Sequence, residues 1–127
     1  MDINLLDSSY EVVMCNHVLE HVRDYRMALG ELYRVLRPGG LLVISFPVDL
    51  RLQTVDDNPS VVDTAGRIAR FGQHDHLRVF GADSAELLAQ ASFRVEIARD
   101  ADRPEAIRPV TGPADYDSPD FFFCWKA

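Results

Sequence analysis

The sequence predicts an α/β domain built on a parallel sheet, and three observations carry that reading. Two short apolar runs, Tyr10-Glu11-Val12-Val13-Met14-Cys15 and Leu41-Leu42-Val43-Ile44-Ser45-Phe46, are partly β-branched and do not alternate, the pattern of strands covered on both faces. Between them Tyr25, Leu29, Leu32 and Leu36 recur at spacings of four, three and four, which draws one apolar stripe along a helix. A strand, a helix and a strand of these lengths make a right-handed crossover unit, here from Tyr10 to Pro47. The expectation is that this unit stands without the first half that such a domain normally has.

The elements are justified in order. Ser8 and Ser9 are turn residues ahead of the first strand. Asp24 can cap the helix, and Pro38-Gly39-Gly40 is expected to stop it near Leu36, since proline cannot continue a helix and glycine tolerates a left-handed turn. Pro47 closes the second strand. Pro59 to Arg70 reads as a helix inside an otherwise irregular stretch from Val48 to Phe80, followed by a polar and aromatic loop from Phe71 to Gly81. Asp83 and Glu86 match a capping box for a helix from Ser84 to Ala91. Phe93 to Ala98 is a third strand with one wetter face, because Arg94 and Glu96 alternate with Phe93, Val95 and Ile97. Asp100 to Ser118, with three prolines, is a long connection, and Phe121 to Trp125 is a final strand.

Composition narrows the function. With 127 residues, 47% of them hydrophobic and 26% charged, the chain is one soluble domain's worth. No apolar run reaches the roughly 18 residues of a membrane span, and Met1-Asp2-Ile3-Asn4 does not open a secretory signal, so a cytoplasmic protein off the membrane is expected. A net charge of −7 offers no basic footprint for nucleic acid. Cys15 and Cys124 sit in apolar runs and read as buried free thiols rather than a disulfide.

In an open parallel sheet, ligands bind beyond the carboxyl ends of the strands. Asn16 to His21, the Val48–Phe80 excursion and the Asp100–Ser118 connection should all leave on that edge, where long excursions suggest an acceptor pocket or lid. His17-x-x-Glu20-His21 matches the H-x-x-E-H pattern of inverted zinc metalloproteases, in which two imidazoles share a metal and the glutamate acts as base. That pattern needs a continuous helix and a third ligand. Here it follows a strand within one residue, so zinc hydrolysis is only a third reading and no metal is assigned. His74-Asp75-His76, with Arg78 near by, could orient or deprotonate an acceptor, bind a metal, or simply tie a loop together. His74 and His76 are thus the candidates for a catalytic role that the sequence otherwise leaves unknown.

Taken in order, Val12-Val13-Met14-Cys15-Asn16-His17-Val18-Leu19-Glu20-His21-Val22, Arg34-Val35-Leu36-Arg37-Pro38-Gly39-Gly40 and Leu41-Leu42-Val43-Ile44 resemble class I S-adenosylmethionine-dependent methyltransferases. Phe71-Gly72-Gln73, Asp75-His76, Phe80-Gly81, Ala91, Phe93 and the last strand look like the same group. The resemblance implies a partial Rossmann-like methyltransferase fold, supplying strands four, five, six and seven of a seven-stranded sheet ordered 3-2-1-4-5-7-6, with the last strand antiparallel. It implies one truncated domain over 1–127: a strand–helix–strand core (1–47), an acceptor-side excursion or lid (48–80), and a helix with a C-terminal strand pair (81–127). It further implies methyl transfer to an unidentified small-molecule acceptor, with S-adenosylmethionine as cofactor.

Site roles carry over by the same resemblance. Asn16 and His17 would line the methionine end of the cofactor, with His21 beside them. Asp2 would read the adenine amino group, and the amide of Ile3 would meet a ring nitrogen. Asp2 could equally be a solvated terminus, and His21 a buried structural histidine. The glycine-rich turn that places amides near the cofactor's carboxypropyl group has no counterpart, for no G-x-G-x-G occurs here. The chain alone is therefore expected to be incomplete or inactive. A non-catalytic interaction or regulatory domain derived from the fold is the alternative. With no first strand beside it, Tyr10 to Cys15 would be an orphan edge, favouring a homodimer or segment exchange there.

Overall fold

The structure, a computed structural model, describes residues 3–98 and 121–127. Its elements follow in the order β1 (Tyr10–Asn16), α1 (Tyr25–Val35), β2 (Leu36–Ser45), α2 (Thr64–Phe71), α3 (Ser84–Gln90), β3 (Phe93–Ala98) and β4 (Phe121–Lys126). The sheet order is β1-β2-β4-β3; β1 is parallel to β2, whereas β4 is antiparallel to both β2 and β3. β3 therefore points the same way as β1 and β2, and the last strand is the reversed one. This is the order and direction expected for strands four, five, seven and six. The connection expected from Asp100 to Ser118 lies outside the described residues.

Asp24 caps α1 as its position predicts, its Oδ1 accepting the Met27 amide at 2.9 Å. The stripe of Tyr25, Ala28, Leu29, Leu32 and Val35 is buried. The helix ends at Val35, however, and Leu36 is already extended. Pro38-Gly39-Gly40 is thus not the helix stop. Tyr10 pairs with Leu36 but Val12 pairs with Leu41, so residues 37–40 bulge out of the ladder, with Gly39 at φ 76°. The carbonyls left open at the end of α1 are met from a distance: the Ser8 and Ser9 amides donate to Arg34 O and Val35 O at 2.9 Å each, and Lys126 Nζ donates to Tyr33 O at 2.9 Å.

The core lies on one face of the sheet. Cys15, Leu42, Ile44, Phe93, Phe122 and Cys124 pack there with Leu29 and Leu32 of α1 and Leu87 and Leu88 of α3. Burial pushes the Cys15 thiol up to about 11, with the negative charge of Glu20 adding to it, and the Cys124 thiol up to about 12, so both remain neutral free thiols. The opposite face corrects the expectation of strands covered on both sides. Val12 is 55% exposed and Met14 68%, while their cross-strand neighbours Leu41 and Val43 are only half-buried. β1 does not alternate in sequence because both of its faces are apolar, one packed and one exposed among the described residues.

One helix start and one cap also differ from expectation, while α3 begins at Ser84 as expected. α2 begins at Thr64, after Asn58 Oδ1 has accepted the Ser60 amide in a turn and Asp63 Oδ2 has accepted the Gly66 amide as the cap, each at 3.0 Å. At α3 no capping box forms. Asp83 sits at φ −78°, ψ 3°, outside the extended region an N-cap needs, and its side chain makes no capping bond. Ser84 Oγ instead donates to Gly81 O at 2.6 Å.

A polar clasp ties the N-terminal segment to α1. Arg34 donates to Glu31, to Asp7 and to the carbonyls of Ile3 and Leu5, while Glu31 Oε2 accepts the Ile3 amide at 2.9 Å. The hydrogen bond from Arg34, then that from Ile3, hold the Glu31 carboxyl at about 2, below its ordinary 4.5. The folded value lies below the unfolded one, so the clasp's contribution is present above about 4.5 and is lost as pH falls towards about 2. An acid titration followed by circular dichroism should show this loss in the wild type and not in Glu31→Gln. Matching acid limbs would remove Glu31 as the cause.

Candidate functional site

Because β1, β2 and β3 share a direction, Asn16, Ser45 and Ala98 end on one edge. β1 and β2 hold each other there. Asn16 is paired with Ser45, whose Oγ donates to Asn16 Oδ1 at 3.1 Å, and the His17 amide donates to Ser45 O at 2.9 Å. His17 itself takes φ 53°, a left-handed conformation uncommon outside glycine, which turns the chain sharply off the strand. The chain then makes a turn, closed by the His21 amide on Val18 O at 3.0 Å, and α1 starts only at Tyr25. The continuous helix that the inverted metalloprotease pattern needs is therefore absent across His17, Glu20 and His21.

This turn encloses a buried carboxylate. Glu20 has no exposed surface, and neither of its oxygens accepts a hydrogen bond. His17 Nδ1 stands 3.3 Å from Oε1 and His21 Nε2 3.9 Å. His76, reaching in from the 48–80 excursion, is buried and meets His21 edge to face at 4.9 Å between ring centroids. His76 Nδ1 contacts Phe71 O at 3.1 Å, and His21 Nδ1 contacts both Asp75 O and Asp75 Oδ2 at 3.3 Å. The Asp75 carboxyl is held below its usual range, first by the Gln73 side-chain amide and further by the neighbouring histidines.

The excursion is fastened to the turn by Arg78, which lies in the polar loop beside His74-Asp75-His76. Arg78 is 1% exposed. Its guanidinium donates to Leu19 O at 2.6 Å, Val22 O at 2.5 Å and Arg23 O at 2.9 Å, and its Nε donates to Asp57 at 3.1 Å. The Leu77 amide adds a bond to Glu20 O at 2.8 Å. An arginine in a polar loop carries no local signal that it will bind three carbonyls more than fifty residues away.

The predicted site residues thus separate. Asn16, His17, His21 and His76 come together at the strand exits. His74 does not: its side chain is 65% exposed, with Asp75 as its ion-pair neighbour at 3.9 Å. Asp2 lies outside the described residues. The Ile3 amide, expected at an adenine nitrogen, donates to Glu31 Oε2 at 2.9 Å in this structure.

Comparison with known proteins bears on this edge directly. A family described as a methyltransferase domain matches residues 1–44, which run through β1, the turn and most of β2. A Mycolicibacterium smegmatis protein named "Probable S-adenosylmethionine-dependent methyltransferase" is 33% identical over 105 residues, covering 70% of this chain and 39% of that protein. The chain thus carries a methyltransferase-domain match and is similar to class I S-adenosylmethionine-dependent methyltransferases. The O-methyltransferase resE of Aspergillus sclerotiorum is 34% identical over 114 residues, or 87% of this chain and 38% of the relative. The chain spans about two fifths of the length of these curated relatives. The fold agrees with a solved methyltransferase. The Burkholderia thailandensis 1,6-didemethyltoxoflavin-N1-methyltransferase, determined with its acceptor and S-adenosylhomocysteine bound, superposes with a TM-score of 0.57 at 19% identity, over 95% of this chain and 45% of that one.

Proposed function

We propose that this chain forms the methionine-side wall and the acceptor-side excursion of a site that moves a methyl group from S-adenosylmethionine to a small molecule. The observation that carries the reading is the β1 exit, where His17 turns left-handed against Ser45 and keeps Asn16 and His17 on the ligand edge of the sheet. Asn16 and His17 line the sulfonium end of the cofactor, with His21 behind them, and Asp2 is the adenine-side carboxylate. His76, rather than His74, is the acceptor-side histidine. The name of the fungal relative supports an oxygen nucleophile. S-adenosylmethionine would supply the methyl group to the acceptor's hydroxyl oxygen and leave as the thioether, and the hydroxyl proton would pass to His76 or to solvent. The protein's share of that step is alignment.

The chain alone carries no G-x-G turn for the cofactor's carboxypropyl group, so it is proposed to be incomplete as a catalyst. Calorimetric titration with S-adenosylmethionine tests this. Dissociation in the high-micromolar range or weaker is expected, and low-micromolar binding would show that the missing turn is dispensable. A second reading, an interaction domain without catalysis, is favoured by β1 lying at the sheet edge with Val12 and Met14 exposed. On that reading the Tyr10–Cys15 edge pairs two copies or exchanges a segment. Light scattering that finds a monomer at micromolar concentration would remove it.

A further inference from the structure

We propose that Glu20, His21 and His76 form a site for one divalent transition-metal ion at the carboxyl edge of the sheet. One donor atom from each of the three lies within 4.8 Å of the other two. The first argument is the carboxyl group. Glu20 is fully buried with no hydrogen bond to either oxygen, which is costly. Its nearest polar neighbours are imidazole nitrogens, His17 Nδ1 at 3.3 Å and His21 Nε2 at 3.9 Å from Oε1, and of these rings His17 is mostly exposed. The second argument is the state of the imidazoles. His76 spends Nδ1 on Phe71 O, and His21 spends Nδ1 on the Asp75 carbonyl and carboxylate, which leaves Nε2 on each ring for a cation. A backbone carbonyl or carboxylate behind each ring is the usual support of a metal-binding histidine, because it fixes the tautomer and raises the basicity of the other nitrogen.

Two imidazoles and one carboxylate suit zinc, manganese or iron(II) better than magnesium, which prefers an all-oxygen shell. Tetrahedral zinc bonds would bring the donors to about 3.3 Å apart, so the three side chains need to close inward from their present spread. Those chains come from two separate segments, the turn after β1 and the loop after α2, so a bound ion would also cross-link them. His21 is the open side of the cluster, with its side chain 32% exposed. An ion there could hold oxygen atoms of an acceptor. That added role rests on the methyl-transfer reading, whereas the metal site itself does not.

Zinc titration of the untagged, chelator-treated chain tests the site by binding alone. One Zn2+ per chain is expected, with a micromolar or tighter dissociation constant and a higher melting temperature. Glu20→Gln and His76→Gln should each weaken binding by about tenfold or more, and His74→Ala should leave it unchanged. Nitrogen NMR of the wild type provides the same answer without a variant: zinc should shift Nε2 of His21 and His76 and spare His74. The proposal is overturned by the absence of saturable binding, by tight binding that survives in folded Glu20→Gln, or by shifts confined to His74 and His17.

Discussion

Arg78→Met is expected to destabilise the chain by roughly 3–5 kcal/mol, the cost of breaking a buried, fully hydrogen-bonded charge. The guanidinium is 1% exposed and serves four partners: the carbonyls of Leu19, Val22 and Arg23, and the carboxylate of Asp57. It also stands 5.1 Å from the centre of the Tyr25 ring. Methionine fills much of the volume but donates nothing, so three carbonyls and a carboxylate lose their donor at once. Arg78→Lys should recover little of the loss, because one ammonium cannot reproduce the planar fork. Urea denaturation followed by circular dichroism measures the change, and a loss under about 1 kcal/mol would mean the clamp contributes no more than a surface ion pair. Hydrogen exchange adds a local readout. The amides of residues 17–23 should exchange faster in Arg78→Met, since the guanidinium holds that turn closed.

Phe80→Ala is expected to cost about 3–5 kcal/mol by removing a buried ring and leaving a cavity. Phe80 is 1% exposed; its ring lies 4.1 Å from that of Phe46 and meets Tyr25 edge to face at 5.4 Å. Its backbone also fastens the returning excursion to the end of β2, with the Phe80 amide on Pro47 O at 3.3 Å and the Asp49 amide on Phe80 O at 2.9 Å. Phe80→Leu keeps most of the apolar volume and should cost under about 1.5 kcal/mol. Tyr25 touches both Phe80 and Arg78, so Arg78→Met and Phe80→Ala should couple, with the double variant departing from the sum by more than about 0.5 kcal/mol. Thermal and urea unfolding of the four proteins check this, and strict additivity would argue that the two residues act independently.

Local features of the chain were legible wherever one segment's own chemistry decides the outcome. The stripe from Tyr25 to Leu32 and the Asp24 cap are written in the spacing of a few residues, and so is the alternation from Phe93 to Glu96, whereas Ile97 is 41% exposed and breaks it. The Asp83 capping box failed for the opposite reason. Its residue types fit, but the backbone arriving from Gly81 leaves Asp83 in a conformation that cannot cap. Gly81 is itself pinned, since a Cβ there would lie 2.6 Å from Thr54 O. Pro38-Gly39-Gly40 does not stop α1, because the carbonyls at its C-terminal end are met by Ser8, Ser9 and Lys126, none of which neighbours it in sequence.

The sequence by itself determined the α/β class, the strand–helix–strand unit and the chemical character of the β1 exit. Those follow from hydrophobic periodicity and from ordered residue types, which are local properties. Only the tertiary structure decided which residues form the cluster. It brought His76 to Glu20 and His21 and left His74 at the surface, although the two histidines stand two positions apart. It also bared one face of β1 that the apolar run had suggested was covered. The physical reason is the same in both cases. Burial and polar pairing depend on what the rest of the chain lays across a residue, and a carbonyl or carboxylate can find its donor fifty positions away once the backbone has folded.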